Sequence, residues 1–155
     1  MTDRESVFQF DQAEDSPGFS LWQVSSVWQR RINAGLRPFN LTHTQFVLLA
    51  SLTWLVNDER PITQAELATH AKTDIMMTSN VLRTLEKKGL ILRNPHPTDT
   101  RAKSLDVTPE GRDLAAQVVP IVETIDREFF NPLGDGASAF NQHLLTLISA
   151  NEDNS

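Results

Sequence analysis

Residues Pro61 to Gly111 read PITQAELATHAKTDIMMTSNVLRTLEKKGLILRNPHPTDTRAKSLDVTPEG. Within this stretch a short helix is predicted from Gln64 to Ala71, burying Leu67, Ala68 and Ala71. Thr63 stands just before it and three residues ahead of Glu66, the spacing of an N-terminal capping box. A brief turn through Lys72 and Thr73 follows. A second helix, capped by Asp74 or Thr73, is predicted to extend to Lys88, with Thr78, Val81, Leu82 and Leu85 on one buried stripe. Gly89 supplies a left-handed stop, and Lys87 and Lys88 suit the negative end of the helix dipole. Two helices joined by a tight turn form the helix-turn-helix pattern. Leu90 to Leu92 then make a short apolar strand, and Ser104 to Val107 a second one that alternates polar with apolar. Between them the loop from Arg93 to Lys103, with Pro95, Pro97 and Asp99, completes a wing.

Charge is divided unevenly around this stretch. The chain of 155 residues carries 14 Lys and Arg against 20 Asp and Glu, a formal net charge of -6. Taken alone, that acidity argues against a nucleic-acid partner. From Lys72 to Arg112, however, eight basic residues face five acidic ones, a local charge of +3 that leaves -9 on the remainder. Phosphate contacts need a local positive field and not a positive whole molecule, so this segregation suits DNA.

Outward from the centre the chain is helical. Ser16 before Pro17, Thr42 three before Gln45 and Thr108 before Pro109 are further start signals. The first helix is predicted from about Pro17 to Arg37, with Leu21, Val24, Trp28 and Ile32 at helical spacing, and it ends before Pro38. A second, half-buried helix is predicted from about Thr42 to Val56, with Phe46, Leu49, Ala50 and Thr53 on one face and the polar stretch 57–60 closing it. After Pro109, Leu114, Val118, Ile121, Val122, Ile125 and Phe129 form a stripe interrupted by Pro120, and a last helix follows Gly134 and Gly136 with Phe140, Leu144, Leu147 and Ile148. These outer helices are too apolar for the small middle region to cover. Their faces pack on one another within the chain, or form a two-fold dimer interface, the reading preferred. The fold expected is mainly α with a small β-hairpin wing, a winged helix-turn-helix flanked by N- and C-terminal dimerisation helices. Residues 1–40 hold the N-terminal segment and first dimerisation helix, 41–108 the DNA-binding domain, 109–150 the C-terminal dimerisation helices, and 151–155 a disordered tail.

Other classes find little support. With no cysteine there are no disulfides, thiol nucleophiles or cysteine-rich zinc sites. There is no Gly-rich phosphate loop, nucleophile elbow or H-E-x-x-H, and the histidines His43, His70, His96 and His143 are scattered. The chain therefore reads as no enzyme, with no cofactor and no metal. No window approaches eighteen apolar residues, and the N-terminus is acidic where a signal peptide is basic, so a cytoplasmic protein is expected.

Leu41 to Gly111 resembles the multiple antibiotic resistance regulator (MarR) family of bacterial transcription factors. The matching features are LTHTQFVLL, PITQAELA, VLRTLEKKGLILR and DTRAKSLDVTPEG, of which the last is the most specific: Asp and Arg two apart, then Lys and a T-x-x-G helix start. With the flanking helices the likeness covers nearly the whole chain. Met76 and Met77 stand where small polar residues are common in the family, and Val107 where Leu is.

The resemblance implies a homodimer on double-stranded DNA. Thr78, Ser79, Asn80, Arg83 and Lys87 belong to the recognition helix, whose N-terminal half would enter the major groove, with Asn80 suited to adenine and Arg83 to guanine or a phosphate. Gln64 would offer its backbone N–H to a phosphate. Met76 and Met77 would touch a thymine methyl, with one of them packing inward as the alternative. Arg101 would reach into the minor groove, Asp99 would orient it or Arg93, and Lys103 would take phosphate. The family also implies a small aromatic or phenolic effector between the dimer helices and the reading head. Trp22, Trp28, Arg31, His43, Phe46 and Trp54 are the candidate lining, with core packing the alternative for each. The expected function is a repressor on a pseudo-palindromic operator, released by such a ligand; the alternative is a winged-helix module that binds protein instead of DNA.

Overall fold

The computed structural model describes residues 7–57 and 59–152. Of the loosely held ends expected over the first fifteen or so residues and at 151–155, residues 1–6 and 153–155 lie outside the described residues, as does Asp58 in the stretch closing the second helix. The elements in order are α1 (Pro17–Leu36), α2 (His43–Leu55), β1 (Ile62–Thr63), α3 (Gln64–Ala71), α4 (Ile75–Lys87), β2 (Ile91–Pro95), β3 (Lys103–Val107), α5 (Pro109–Phe130) and α6 (Gly136–Ala150). Single 3-10 turns at Ala13–Asp15, Arg37–Phe39 and Asn131–Leu133 join or precede them. The fold is thus mainly helical with a small antiparallel wing.

The helix starts follow from side-chain chemistry. Ser16 Oγ accepts the Phe19 N–H, Thr63 Oγ1 that of Glu66, and Thr108 Oγ1 that of Gly111. Thr42 and Gln45 exchange two bonds of 3.2 Å in a full capping box. Each such cap contributes roughly 1 kcal/mol by satisfying an otherwise orphaned donor. Glu66 differs from expectation: its carboxylate turns to Arg60 and the Thr63 hydroxyl, and no reciprocal box forms.

Helix α2 is the hub, a correction to the half-buried helix expected. Leu48, Leu49 and Leu52 are fully buried and Phe46 nearly so, because α1, α3, α4, α5 and β3 all pack around it. Ile32 and Leu36 from the end of α1, Leu67 from α3, Leu82 and Leu85 from α4, Ile91, Leu105 and Val107 from the sheet, and Val118 and Val122 from α5 complete one core.

The sheet has three strands in the order β1-β3-β2, where a two-stranded hairpin was expected. The additional strand is two residues long, pairing Ile62 with Leu105 and Thr63 with Ser104. Ile91 pairs with Val107 and Pro95 with Lys103 at the two ends of the longer ladder. At its base Thr108 binds the carbonyl of Gly89 through its hydroxyl (2.7 Å) and that of Leu90 through its N–H (3.1 Å). The wing is thereby fastened to the start of α5.

The outer helices are only partly covered. In α1, Leu21 and Val24 are exposed although they share a stripe with half-buried Trp28 and buried Ile32. Helix α6 contains no buried residue, and Leu145, Leu147 and Ile148 each expose about half their surface. Helix α5 runs through Pro120 without a break.

Candidate nucleic-acid interface

Helices α3 and α4 are joined by a turn whose sharpness comes from Lys72, held at φ 56°, while the Thr73 N–H closes on the Ala68 carbonyl. Such a left-handed conformation disfavours a residue with a Cβ, and here the turn's two backbone bonds hold it. The Lys72 ammonium pairs with Glu152 just beyond α6. Asp74 then caps α4 by accepting the Met77 N–H at 2.9 Å, which decides between the two candidate caps.

Helix α4 buries Thr78, Leu82 and Leu85 on one stripe. Thr78 is fully buried; its hydroxyl donates to the Asp74 carbonyl and lies 2.7 Å from the Thr73 hydroxyl. It has no surface to offer a base, so its place among the DNA-facing residues is corrected: it holds the turn. The opposite side exposes Ile75, Met76, Met77, Asn80, Arg83 and Lys87, with Ser79 half-buried at the edge. Both methionines are exposed, Met76 at 69% and Met77 at 40%, so neither packs inward. Arg83 reaches Asn80 at a long 3.5 Å, which leaves both side chains available. Gln64 opens α3 half-buried.

In the wing, Asp99 Oδ1 accepts the Arg101 N–H at 3.0 Å and lies 3.8 Å from Arg101 Nε. The Arg101 side chain is 94% exposed. Lys103 is exposed on β3, and Arg93 on β2 has its Nε enclosed without a partner. Asp99 thus sits beside Arg101, whereas no bond to Arg93 is present. Among the described residues Arg83, Lys87, Lys88, Arg93, Lys103 and Arg112 pair with no carboxylate. Lys88 instead donates to the Asn40 carbonyl and Gln45 Oε1, fixing the end of α4 against the start of α2. One residue of the wing that carried no expectation, His96, holds the turn together through its ring; its only signal in the sequence was a position between two prolines.

The six residues expected around an effector separate into groups. Trp28 of α1 donates from Nε1 to Asp126 of α5 at 2.8 Å and meets His43 edge-on, ring centroids 4.9 Å apart. Burial holds the His43 imidazole below its usual range, and the neighbouring Asp126 carboxylate opposes that shift. One helical turn along both helices, Arg31 lies 5.5 Å over the Phe129 ring, a cation–π distance. Trp28, Arg31 and His43 therefore line one seam between α1, α2 and α5. Phe46 packs in the core, while Trp54 is 83% exposed at the last turn of α2. Trp22 lines a separate hollow on α1 with Leu21, Ser25 and Gln29. Phe46, Trp54 and Trp22 do not join the seam. Among the described residues no cluster of three metal-ligating side chains occurs, and no helix is long and apolar enough to cross a membrane.

Comparison with known proteins follows the same outline. A model described as the MarR family matches residues 41–103. The chain is 46% identical over 121 residues to an uncharacterised helix-turn-helix-type transcriptional regulator of Bacillus subtilis, YdcH, covering 78% of this chain and 82% of that protein. It is 32% identical over 115 residues to a helix-turn-helix-type transcriptional repressor of Mycobacterium tuberculosis, covering 74% and 80%. Among solved structures, the repressor CouR bound to a 23-mer DNA duplex superposes with a TM-score of 0.80 at 25% identity, over 90% of this chain and 97% of that one. CouR from Rhodococcus jostii bound to p-coumaroyl-CoA gives a TM-score of 0.77 at 25% identity, over 91% and 95%.

Proposed function

Because this chain belongs to the MarR family, we propose that it is a transcriptional regulator that binds double-stranded DNA as a homodimer and represses by occupying a promoter. The observation that carries the reading is the likeness, over nine-tenths of the chain, to a repressor bound to a DNA duplex. The basic reading head of +3 within a chain of -6 supports it, as do the side chains exposed along α4 and the wing. Residues 41–108 form the DNA-binding unit; 1–40 and 109–150 supply the dimerising helices.

In this reading α4 enters the major groove with Asn80, Arg83 and the two methionines facing base edges, and Ser79, Lys87 and the Gln64 N–H near the backbone. Arg101, steadied by Asp99, enters the minor groove beside Arg93 and Lys103. Two heads related by a two-fold axis must sit about 34 Å apart, one turn of the duplex, which makes the operator pseudo-palindromic. The exposed apolar residues of α1 and α6 are the surfaces a second copy covers.

The seam of Trp28, Arg31, His43, Asp126 and Phe129 joins the dimer helix α1 to the first helix of the head. An aromatic carboxylate or phenol entering it would contact an imidazole, an indole and a guanidinium, and a shift of α1 against α2 would change the spacing of the heads. The p-coumaroyl-CoA complex of CouR supports this class of effector.

The test is selection of duplexes from a random pool by the purified protein, followed by a salt titration of the selected sequence. Paired half-sites about one turn apart and a steep negative log-log slope, about -0.9 per phosphate contacted, are expected. Unpaired sites with a flat slope would point to a protein-binding module instead.

A further inference from the structure

The wing turn is organised by an imidazole. His96 Nδ1 accepts the backbone N–H of Asp99 at 3.0 Å and of Thr98 at 3.2 Å, with the Thr98 hydroxyl at 3.5 Å. The ends of the turn are held by two backbone bonds, His96 N–H to the Ala102 carbonyl and Ala102 N–H to the Asp99 carbonyl. Asp99 then turns its own carboxylate onto Arg101. These bonds form one series: ring nitrogen, Asp99 backbone, Asp99 carboxylate, Arg101. Pro95 and Pro97 flank the histidine and fix φ on both sides, and Pro97 brings no N–H to compete for the ring.

Resting on the DNA-binding reading above, we propose that His96 is the positioning residue of the wing: its imidazole, with Nδ1 unprotonated, shapes the turn that holds Arg101 ready for the DNA groove. An Nδ1 that accepts two N–H groups carries no proton, so the ring is the neutral tautomer with its hydrogen on Nε2. A proton added at Nδ1 would face two donors and break both bonds. Adding a proton to the ring is therefore the perturbation that tests whether the imidazole holds the turn. The charged residues of the wing are Asp99 and Arg101 on the turn, Arg93 on β2 and Lys103 on β3, the last paired in register with Pro95. The device acts on affinity through shape, since the extra positive charge would by itself strengthen attraction to phosphate.

His96→Asn separates shape from charge, because an asparagine carbonyl can accept N–H groups two and three residues on and does not titrate. His96→Ala removes the acceptor. With a duplex selected from a random pool by the wild-type protein, affinities are measured at pH 7.5 and 5.5 at one salt concentration. At pH 7.5 the alanine variant should bind at least fivefold more weakly and the asparagine variant within twofold of wild type. Between pH 7.5 and 5.5 the wild type should lose several-fold more affinity than His96→Asn. In the free protein, the amide resonances of Thr98 and Asp99 should move with the His96 ring titration in the wild type and stay put in His96→Asn. Wild-type affinity in the alanine variant, matching pH profiles for wild type and His96→Asn, or amides indifferent to the ring would each overturn the proposal. Failure of the wild type to select any duplex would overturn the DNA reading instead, and the amide titration would still judge the turn.

Discussion

Two residues of the reading head divide the work of fold and function. The Arg101 side chain lies beside the Asp99 carboxylate and is almost wholly in solvent, so the fold does not need it. Arg101→Ala should leave the melting temperature unchanged and weaken binding of a selected duplex at least tenfold at moderate salt; unaltered affinity would remove the wing from the interface. Thr78 is the reverse case. Thr78→Val preserves volume but deletes the hydroxyl that serves Asp74 and Thr73; the Asp74 carbonyl keeps the Thr78 N–H, so the lost hydrogen bonds cost about 1 kcal/mol. Denaturant midpoints should fall accordingly while the folded protein binds DNA within twofold of wild type. His43 adds a pH dependence. Its folded pKa is depressed, so the unfolded chain takes up the proton first as pH falls below about 6.5. Stability is then fully present above that pH and declines as acid is added. His43→Gln should flatten this decline in urea titrations between pH 7.5 and 5.

At the scale of elements, the most demanding junction is the T-x-x-G at the start of α5. A Cβ on Gly111 would sit 2.0 Å from the Leu90 carbonyl oxygen and 2.8 Å from Val107. Neither backbone atom nor strand can retreat without opening the ladder, so Gly111→Ala should destabilise the protein by about 3 kcal/mol, read as a lowered thermal midpoint. The sequence disclosed such junctions well, because caps and the apolar stripes of α3 and α4 are local chemistry with fixed spacing. The limits of α3 agree with the expectation, those of α2 differ from it by a single residue at each end, and α4 ends one residue earlier than expected. Strand β1 escaped notice since two residues carry no alternation, and α2 was read too lightly because the elements around it come from all along the chain. The same physics separates the site residues. Asn80 and Arg83 lie on the face opposite Leu82 and Leu85, as the 3.6-residue period requires, and that period also puts Thr78 inside. His96 was not legible, since its partners are backbone N–H groups that no side-chain pattern reveals. Nor did the aromatic residues of the helices disclose which of them would meet: Trp28 and His43 do, because α1 crosses α2 at its C-terminal half, and Trp54 does not.

Across the whole molecule, the apolar side chains left on α1 and α6 define a surface rather than a defect. Phe19, Leu21, Trp22, Val24 and Val27 expose between 38% and 71% of their area along one helix, and apolar side chains grouped in this way commonly mark an interaction surface. Sedimentation should report a dimer, and Trp22→Glu should shift it to a monomer that no longer retains paired half-sites. A dimer that persists in this variant would move the interface elsewhere. Helix α6, with nothing buried in a single copy, carries a further consequence. A segment that gains its shelter from another molecule gains its stability there too, so the thermal midpoint should rise with protein concentration. A regulator of this construction would hold its fold more firmly when concentrated than when dilute. The amount of protein would then be sensed by the fold itself, before any operator is occupied.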